Sequence, residues 1–105
     1  MNDVFRALSD PTRRQVLELL RPGPLSAGEL ADHFDVSKST MSAHFAVLRE
    51  AGLVVSEKQG KSVVYALQIS VLEDALLAFA RTFGWGLHPG ELPRPRRATR
   101  AGASR

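Results

Sequence analysis

Apolar residues recur at helical spacing through the first third of the chain. They form three groups, around Val4 and Leu8, around Val16 and Leu20, and at Leu30, with stretches rich in Ser, Asp, Pro and Gly between them. Such groups bury one stripe of a helix, and the polar stretches favour turns. The pattern therefore predicts three short helices before residue 36.

Capping residues stand at the starts of these helices. Asp10 can accept hydrogen bonds from the free amides of the second helix, with Pro11 at its first position. Ser26 and Glu29 have the spacing of a capping box at the start of the third helix. Asp35 and Val36 alone connect the third helix to Ser37, which can cap a fourth helix.

The fourth helix, predicted from Ser37 to a stop at Gly52, has two different sides. On a helical wheel one side takes the apolar residues, namely Met41, Phe45, Val47, Leu48 and Ala51, with Thr40 and His44 among them. The other side holds Lys38, Ser39, Ser42, Ala43, Ala46, Arg49 and Glu50. Ser and Thr are moderate helix formers, so their concentration there favours a surface that exchanges hydrogen bonds with a partner at close range.

After Gly52 the pattern changes to that of β-strands. The segments LVVSEK and SVVYAL are separated by Gln59-Gly60-Lys61, which predicts a hairpin with Lys58 and Lys61 at its tip. Ser70 can then cap a last helix. Its apolar residues repeat at helical spacing: Leu72, Ala75, Leu76, Phe79, Ala80 and Phe83.

The predicted order is four helices, two strands and a helix, a mainly α fold with a β-hairpin (α+β, order ααααββα). The short connection between the third and fourth helices predicts a helix-turn-helix. We predict one domain over residues 1–85 and a disordered tail, rich in Pro, Gly and Arg, over residues 86–105.

Charge is distributed unevenly along the chain. Residues 1–85 contain 9 Lys and Arg against 10 Asp and Glu, whereas residues 86–105 contain five Arg against one Glu. The net charge of +3 therefore comes from the tail, and only the local placement of cations can argue for a nucleic-acid partner. Arg13 and Arg14 are one local signal, because a helix dipole disfavours cations in the first turn, which hints at an anionic group nearby.

Composition excludes several classes of function. Without cysteine the chain can form no disulfide, thiolate metal site or thiol switch. No apolar run approaches the roughly 20 residues of a membrane span, and the N-terminal residues do not resemble a secretory signal. We therefore expect a cytoplasmic protein without membrane insertion. No nucleophile and base stand at a workable spacing, so we do not expect an enzyme.

A helix-turn-helix followed by a basic hairpin is the winged-helix arrangement. A recognition helix in the major groove carries short polar side chains at its N-terminal end, because bulky ones would hold it away from the base edges. Lys58 and Lys61 of the hairpin would then meet phosphates of the backbone. The pattern predicts a protein that binds double-stranded DNA.

Four stretches resemble the ArsR/SmtB-type family of bacterial winged-helix repressors: ALSDPTRRQVLELL, LSAGELADHFDVSKSTMSAHFAVLREAGLV, KQGKSVVYAL and the apolar helix after it. The resemblance covers residues 1–84 and implies a homodimer that binds an inverted repeat at a promoter. The DNA-facing residues implied by position are Lys38, Ser39, Ser42, Ala43, Lys58, Gln59 and Lys61. Ala43 departs from the family pattern, which has a polar or basic residue there, so one base contact is expected to be missing.

Ser37, Thr40 and Arg49 complete the candidate DNA-binding set. The resemblance also implies that the first and last helices build the dimer. The residues expected at that interface are Val4, Phe5, Leu8, Leu72, Leu76, Phe79 and Phe83.

The metal-sensing motifs of the family are not matched. The third helix reads SAGELADHF where metal sensors have a cysteine motif, and Leu76 stands where other sensors place a His on the last helix. The segment His88-Pro-Gly-Glu91 resembles the end of such a motif, but Pro89 and Gly90 would break the helix that orients the ligands. We predict no metal and no cofactor. The chain is similar to the cysteine-free, metal-independent branch, like autorepressors of small immunity-type operons.

Several alternatives stay open at the level of sequence. His44 is either a structural histidine or a contact to a base or a metal, and Arg49 either pairs with neighbours or contacts phosphate. The Arg-rich tail either strengthens non-specific DNA binding or only aids solubility. Repression could be relieved by an inducer or by a partner protein that titrates the repressor away. The alternative function is a winged-helix protein-interaction module without specific DNA binding.

Overall fold

The computed structural model describes residues 2–84, which contain five helices and three strands. The helices are α1 (Asn2–Leu8), α2 (Pro11–Leu19), α3 (Ala27–Ala31), α4 (Lys38–Glu50) and α5 (Ile69–Thr82). The strands are β1 (Leu25–Ser26), β2 (Val54–Gln59) and β3 (Ser62–Leu67). The predicted winged helix-turn-helix is confirmed, with β1 as an addition.

The predicted caps of α2 and α3 are confirmed. The Asp10 carboxylate accepts a hydrogen bond from the backbone N–H of Arg13 at 3.1 Å. The Ser26 hydroxyl accepts from the Glu29 backbone N–H at 3.0 Å, and the Glu29 carboxylate accepts from the Ser26 N–H at 2.8 Å. Each helix therefore starts where its own sequence satisfies its first amides.

The start of α5 differs from the sequence prediction. Ser70 was expected to cap the helix, but α5 begins at Ile69 and Ser70 lies inside its first turn. The turn closes earlier because the backbone N–H of Val71 donates to the Gln68 carbonyl at 3.2 Å. Gln68 is itself held in place, since its N–H donates to the Leu53 carbonyl at 2.8 Å.

The three strands form one antiparallel sheet in the order β1-β3-β2. Strands β2 and β3 pair from Val54 opposite Leu67 to Gln59 opposite Ser62. Only Gly60 and Lys61 connect them. Gly60 has a φ of +63°, a conformation that residues other than glycine rarely adopt. The hairpin is therefore a tight wing whose strand register is set by a two-residue turn.

The core lies in the compact unit Met1–Ala75. Its most deeply buried large side chains come from α2 and its C-cap, from α3 and α4, and from the start of β2 with the residue before it: Val16, Leu20, Leu30, Met41, Leu48, Leu53 and Val54. The rings of Phe45 and Tyr65 lie 4.8 Å apart, which fastens α4 to the base of the wing. Helix α1 packs on both α2 and α4, with Val4 buried.

The second compact unit begins at Leu76, inside α5. Its described residues, 76–84, complete that helix, and the rings of Phe79 and Phe83 lie 4.9 Å apart. The predicted tail over residues 86–105 and the segment His88-Pro-Gly-Glu91 lie outside the described residues. None of the helices in residues 2–84 has both the length and the apolar character to cross a membrane.

Candidate nucleic-acid interface

Ser37 organises the N-terminal end of α4. Its hydroxyl accepts a hydrogen bond from the backbone N–H of Thr40 at 3.1 Å, which confirms the predicted cap. The same oxygen lies 2.9 Å from the Thr40 hydroxyl and 3.1 Å from that of Ser39. All three side chains are exposed. The first turn thus presents a connected cluster of hydroxyls that can still bond outward.

The two sides of α4 match the helical wheel in most positions. Met41, Phe45 and Leu48 are buried, while the opposite side exposes Lys38, Ser39, Ser42, Ala43, Arg49 and Glu50. The prediction for Thr40 is wrong, because this residue was expected on the packing side and is exposed. It lies in the first turn, where its hydroxyl bonds to Ser37.

The wing carries its polar residues on two different faces. Lys58 stands opposite Val63, on the same face as the buried Tyr65, because residues directly paired across an antiparallel ladder share a face. Gln59 lies on the other face, where its amide nitrogen is 3.4 Å from the Glu57 carboxylate. Lys61 is in the turn. The register thus separates Lys58 from Gln59, which the sequence resemblance had grouped together.

His44 lies in a polar cluster between α4 and the start of α2. Its Nδ1 atom is 3.3 Å from Nη1 of Arg13 and 3.9 Å from Oδ2 of Asp10. The His44 side chain is only 17% exposed, so the structural role is the one that the contacts support. Spacing along the chain could not reveal this cluster, since 31 residues separate Arg13 from His44.

Asp10 is ionised more readily than a free aspartate. Its partial burial raises the pKa of the carboxyl, but the hydrogen bond from the Arg13 backbone N–H lowers it. His44, the Arg13 guanidinium and the Thr12 N–H lower it as well, and the net result is a pKa below the usual range. The cap of α2 is therefore anionic at neutral pH.

Comparison with known proteins identifies the family. A helix-turn-helix domain model matches residues 8–57. The chain is 42% identical over 76 residues to the transcriptional repressor SdpR of Bacillus subtilis (strain 168), across 72% of this chain and 84% of SdpR. It is 36% identical over 73 residues to the arsenical resistance operon repressor of Staphylococcus xylosus, across 70% of each.

A crystal structure of an ArsR family transcriptional regulator superposes with a TM-score of 0.73 at 33% sequence identity, covering 78% of this chain and 90% of that one. The chain belongs to the ArsR family. It is a winged-helix DNA-binding transcriptional repressor, as the sequence motifs indicate. The family consists of transcriptional regulators, which are not enzymes.

The exposed side of α4, called the α4 arc from here on, comprises Lys38, Ser39, Ser42, Ala43, Arg49 and Glu50. In this ArsR-family repressor, the cations of the arc and of the wing form no ion pair within residues 2–84. Within residues 2–84, Asp10 and His44 form the one contact within 4.0 Å between a carboxylate and a basic side chain, and it is an ion pair only when His44 is protonated. Lys38, Arg49 and Lys61 are exposed and take no part in it. Arg49 therefore does not pair with a carboxylate in residues 2–84, which was one of its two alternatives.

Arg13 and Arg14 of the repressor bind neutral carbonyl groups at the C-terminal end of α1. Arg13 donates to the carbonyls of Arg6 and Ala7, and Arg14 donates to that of Leu8. These carbonyls carry the partial negative charge of a helix C-terminus. The guanidinium groups thus meet a partial negative charge at the end of α1, and the anionic group beside Arg13 is the Asp10 carboxylate, which accepts its backbone N–H.

No group of three or more His, Asp or Glu side chains in residues 2–84 is arranged to hold a metal ion. Asp74 is exposed on α5, and His88 and Glu91 lie outside the described residues. The expectation of a metal-independent repressor stays a prediction.

Proposed function

We propose that this repressor binds an inverted-repeat operator as a homodimer and represses its own operon in the cytoplasm. The observation that carries the proposal is the exposed arc of α4, which sets hydroxyls and Lys38 on a rigid helix without a carboxylate partner in residues 2–84. A rigid helix with short polar side chains is suited to read base edges in the major groove.

Base reading is assigned to the middle of the arc. Lys38, Ser39 and Ser42 lie on one side of α4, with Ala43 beside them as an apolar contact. A hydroxyl can donate to or accept from a base edge, and the lysine can donate to the acceptors of guanine. Ser37 and Thr40, at the positive end of the helix dipole, suit a phosphate.

Phosphate binding is assigned to the wing and to the far end of α4. Lys58, Lys61 and Arg49 are exposed cations, and a cation placed on phosphate adds affinity without regard to sequence. Gln59, on the opposite face of the wing from Lys58, is the weakest member of the proposed set.

Dimerisation is assigned to α5, with support from α1. Leu76, Phe79 and Phe83 are 43%, 40% and 58% exposed in the isolated chain, a large apolar surface for a short helix segment. Of the α1 residues, Phe5 and Leu8 are half-buried, whereas Val4 is buried in the core of its own protomer. A two-fold dimer would place two α4 helices roughly 34 Å apart, one turn of duplex.

The test is binding of the full chain to the DNA upstream of its own gene. Footprinting and a mobility shift compare that DNA with a shuffled sequence of the same composition, at several salt concentrations. We expect a protected inverted repeat and at least a thousandfold preference at moderate salt. Equal affinity for both DNAs would remove this proposal and favour a protein-interaction module instead.

The signal that relieves repression is proposed to be neither a metal nor a cofactor. The proposed signal is an inducer of another kind or a partner protein that titrates the repressor away, and either must lower binding to the operator. Zinc or a chelator is expected to leave operator affinity unchanged, because no closed ligand set is available in residues 2–84.

A further inference from the structure

Arg13 joins three helices of the unit Met1–Ala75 through one guanidinium group. From the start of α2, its Nε donates to the Ala7 carbonyl at 2.8 Å and its Nη2 donates to the Arg6 carbonyl at 3.0 Å, both at the end of α1. Its Nη1 lies 3.3 Å from Nδ1 of His44, in the middle of α4. The planar fork of an arginine can make these contacts at once, which a lysine cannot.

The contact with His44 has a defined direction. A guanidinium has only donors, so Nδ1 of His44 must be the acceptor and the ring proton must sit on Nε2. The Asp10 carboxylate, 3.9 Å from Nδ1, is beyond hydrogen-bond range of it and instead accepts the backbone N–H of Arg13. Arg13 is thus tied at both its backbone and its side chain.

We propose that Arg13 is a positioning residue for the recognition helix: through His44 it fixes the orientation of α4 against the C-terminal end of α1. The inference rests on the proposed function, which assigns base reading to α4. Ser42 precedes His44 by two residues on the same helix. Hydrogen bonds to base edges tolerate only a few tenths of an ångström, so a small rotation of α4 would weaken them selectively.

Arg14 provides a matched control. It is the next residue, has the same charge and also holds the end of α1, since its Nη1 donates to the Leu8 carbonyl at 2.7 Å. Within residues 2–84 its side chain hydrogen-bonds to α1 and not to α4. A role in anchoring α1 would therefore be shared by both arginines, whereas positioning of α4 belongs to Arg13.

The first measurement needs no DNA. In ¹⁵N NMR spectra of the imidazole, the parent and Arg14→Gln should show the Nδ1 resonance of His44 shifted by the hydrogen bond that this atom accepts, and Arg13→Gln should lose that shift. Amide hydrogen exchange along α4 should accelerate in Arg13→Gln and not in Arg14→Gln. Unchanged spectra and equal exchange in the two variants would overturn the inference, whether or not the protein proves to bind an operator.

The second measurement is affinity for operator and for shuffled DNA. Arg13→Gln should lose roughly tenfold on the operator, the scale of a hydrogen bond to a charged group, with little loss on shuffled DNA and an unchanged salt slope. Arg14→Gln should stay within about twofold on both. A uniform loss with a flatter slope would show that Arg13 binds phosphate directly, which contradicts the proposal.

Two further variants separate positioning from stability. His44→Phe keeps a ring but removes the acceptor, so the double variant with Arg13→Gln should bind no more weakly than either single variant. Arg13→Lys keeps the charge without the fork and should not restore specificity. Additive losses, or full rescue by lysine, would overturn the role. If the parent itself does not distinguish the two DNAs, the proposed function fails and the NMR and exchange measurements still decide the inference.

Discussion

The exposed arc of α4 and the tip of the wing both bring polar side chains to the surface, but they hold them differently. On α4 short hydroxyl side chains are bonded to one another over a buried row of Met41, Phe45 and Leu48. At the wing tip Lys58 and Lys61 are long, exposed side chains around a two-residue turn. Short groups held by hydrogen bonds suit base edges, whereas long cationic side chains suit phosphates, which carry no sequence information.

This contrast predicts different losses on operator and on shuffled DNA. Variants in the dimer surface should affect both regions together, since each half-site needs its own α4 and wing. Variants in α4 alone should lower specificity, and variants in the wing should lower affinity for any sequence.

A charge in the apolar surface of α5 should have the largest effect. Leu76→Glu should shift the protein to monomer in sedimentation and lower operator affinity roughly a hundredfold or more, because only one half-site is then read. Gln68→Glu adds the same charge at an exposed polar position and should change neither. A folded monomeric Leu76→Glu that binds as tightly as the parent would refute the dimer.

Removing a hydroxyl from the arc should lower specificity. Ser42→Ala should cost about 1–3 kcal/mol on the operator and little on shuffled DNA, if that hydroxyl bonds a base edge. Ser70→Ala, which removes an exposed hydroxyl from the first turn of α5, is the control and should have no effect. Equal losses by Ser42→Ala on both DNAs would show that the serine does not read sequence.

Removing a cation from the wing tip should lower affinity for all sequences alike. Lys61→Ala should weaken binding to operator and shuffled DNA equally and reduce the salt slope by about one unit, since one phosphate contact is lost. Gln59→Ala removes an uncharged neighbour and should leave the slope as it is. A loss confined to the operator would assign Lys61 to base reading and remove the contrast with α4.

The smallest effect concerns stability behind the α4 arc. The lowered pKa of Asp10 means that its ionised form stabilises the folded state above the pKa of an unfolded aspartate, and that this stabilisation is lost as pH falls through the folded-state pKa. Asp10→Asn keeps a capping side chain, so it should lower the free energy of unfolding by less than about 1 kcal/mol near neutral pH. Urea unfolding should show the difference shrinking towards acid pH. A difference that grew there would contradict the sign.

Features encoded by neighbouring residues were predictable from the sequence. The caps at Asp10, Ser26 and Ser37, the tight turn at Gly60 and the buried row of α4 each depend on residues a few positions apart, and the structure confirms them. Periodicity also gave the order of elements from α1 to α5, because each buries one stripe or one face.

Features that join distant segments were not predictable. Strand β1 has only two residues, too few to show alternation, and exists because it pairs with β3. The contact of Arg13 with His44 likewise depends on how α2 and α4 pack. Thr40 was misplaced by the wheel because it precedes Met41, the first residue of α4 that the neighbouring segments bury.

Ser26 links two parts of the fold that form on different time scales. Its side chain caps α3 by bonding to Glu29, three residues away. Its backbone pairs with Val64, which lies beyond α3, α4 and β2 in the chain. Local helical turns form quickly, whereas pairing of distant strands must first overcome the entropy of closing the loop. We expect the helix-turn-helix to be formed before β1 docks on β3, so the joining of the wing to the helices is a late step in folding.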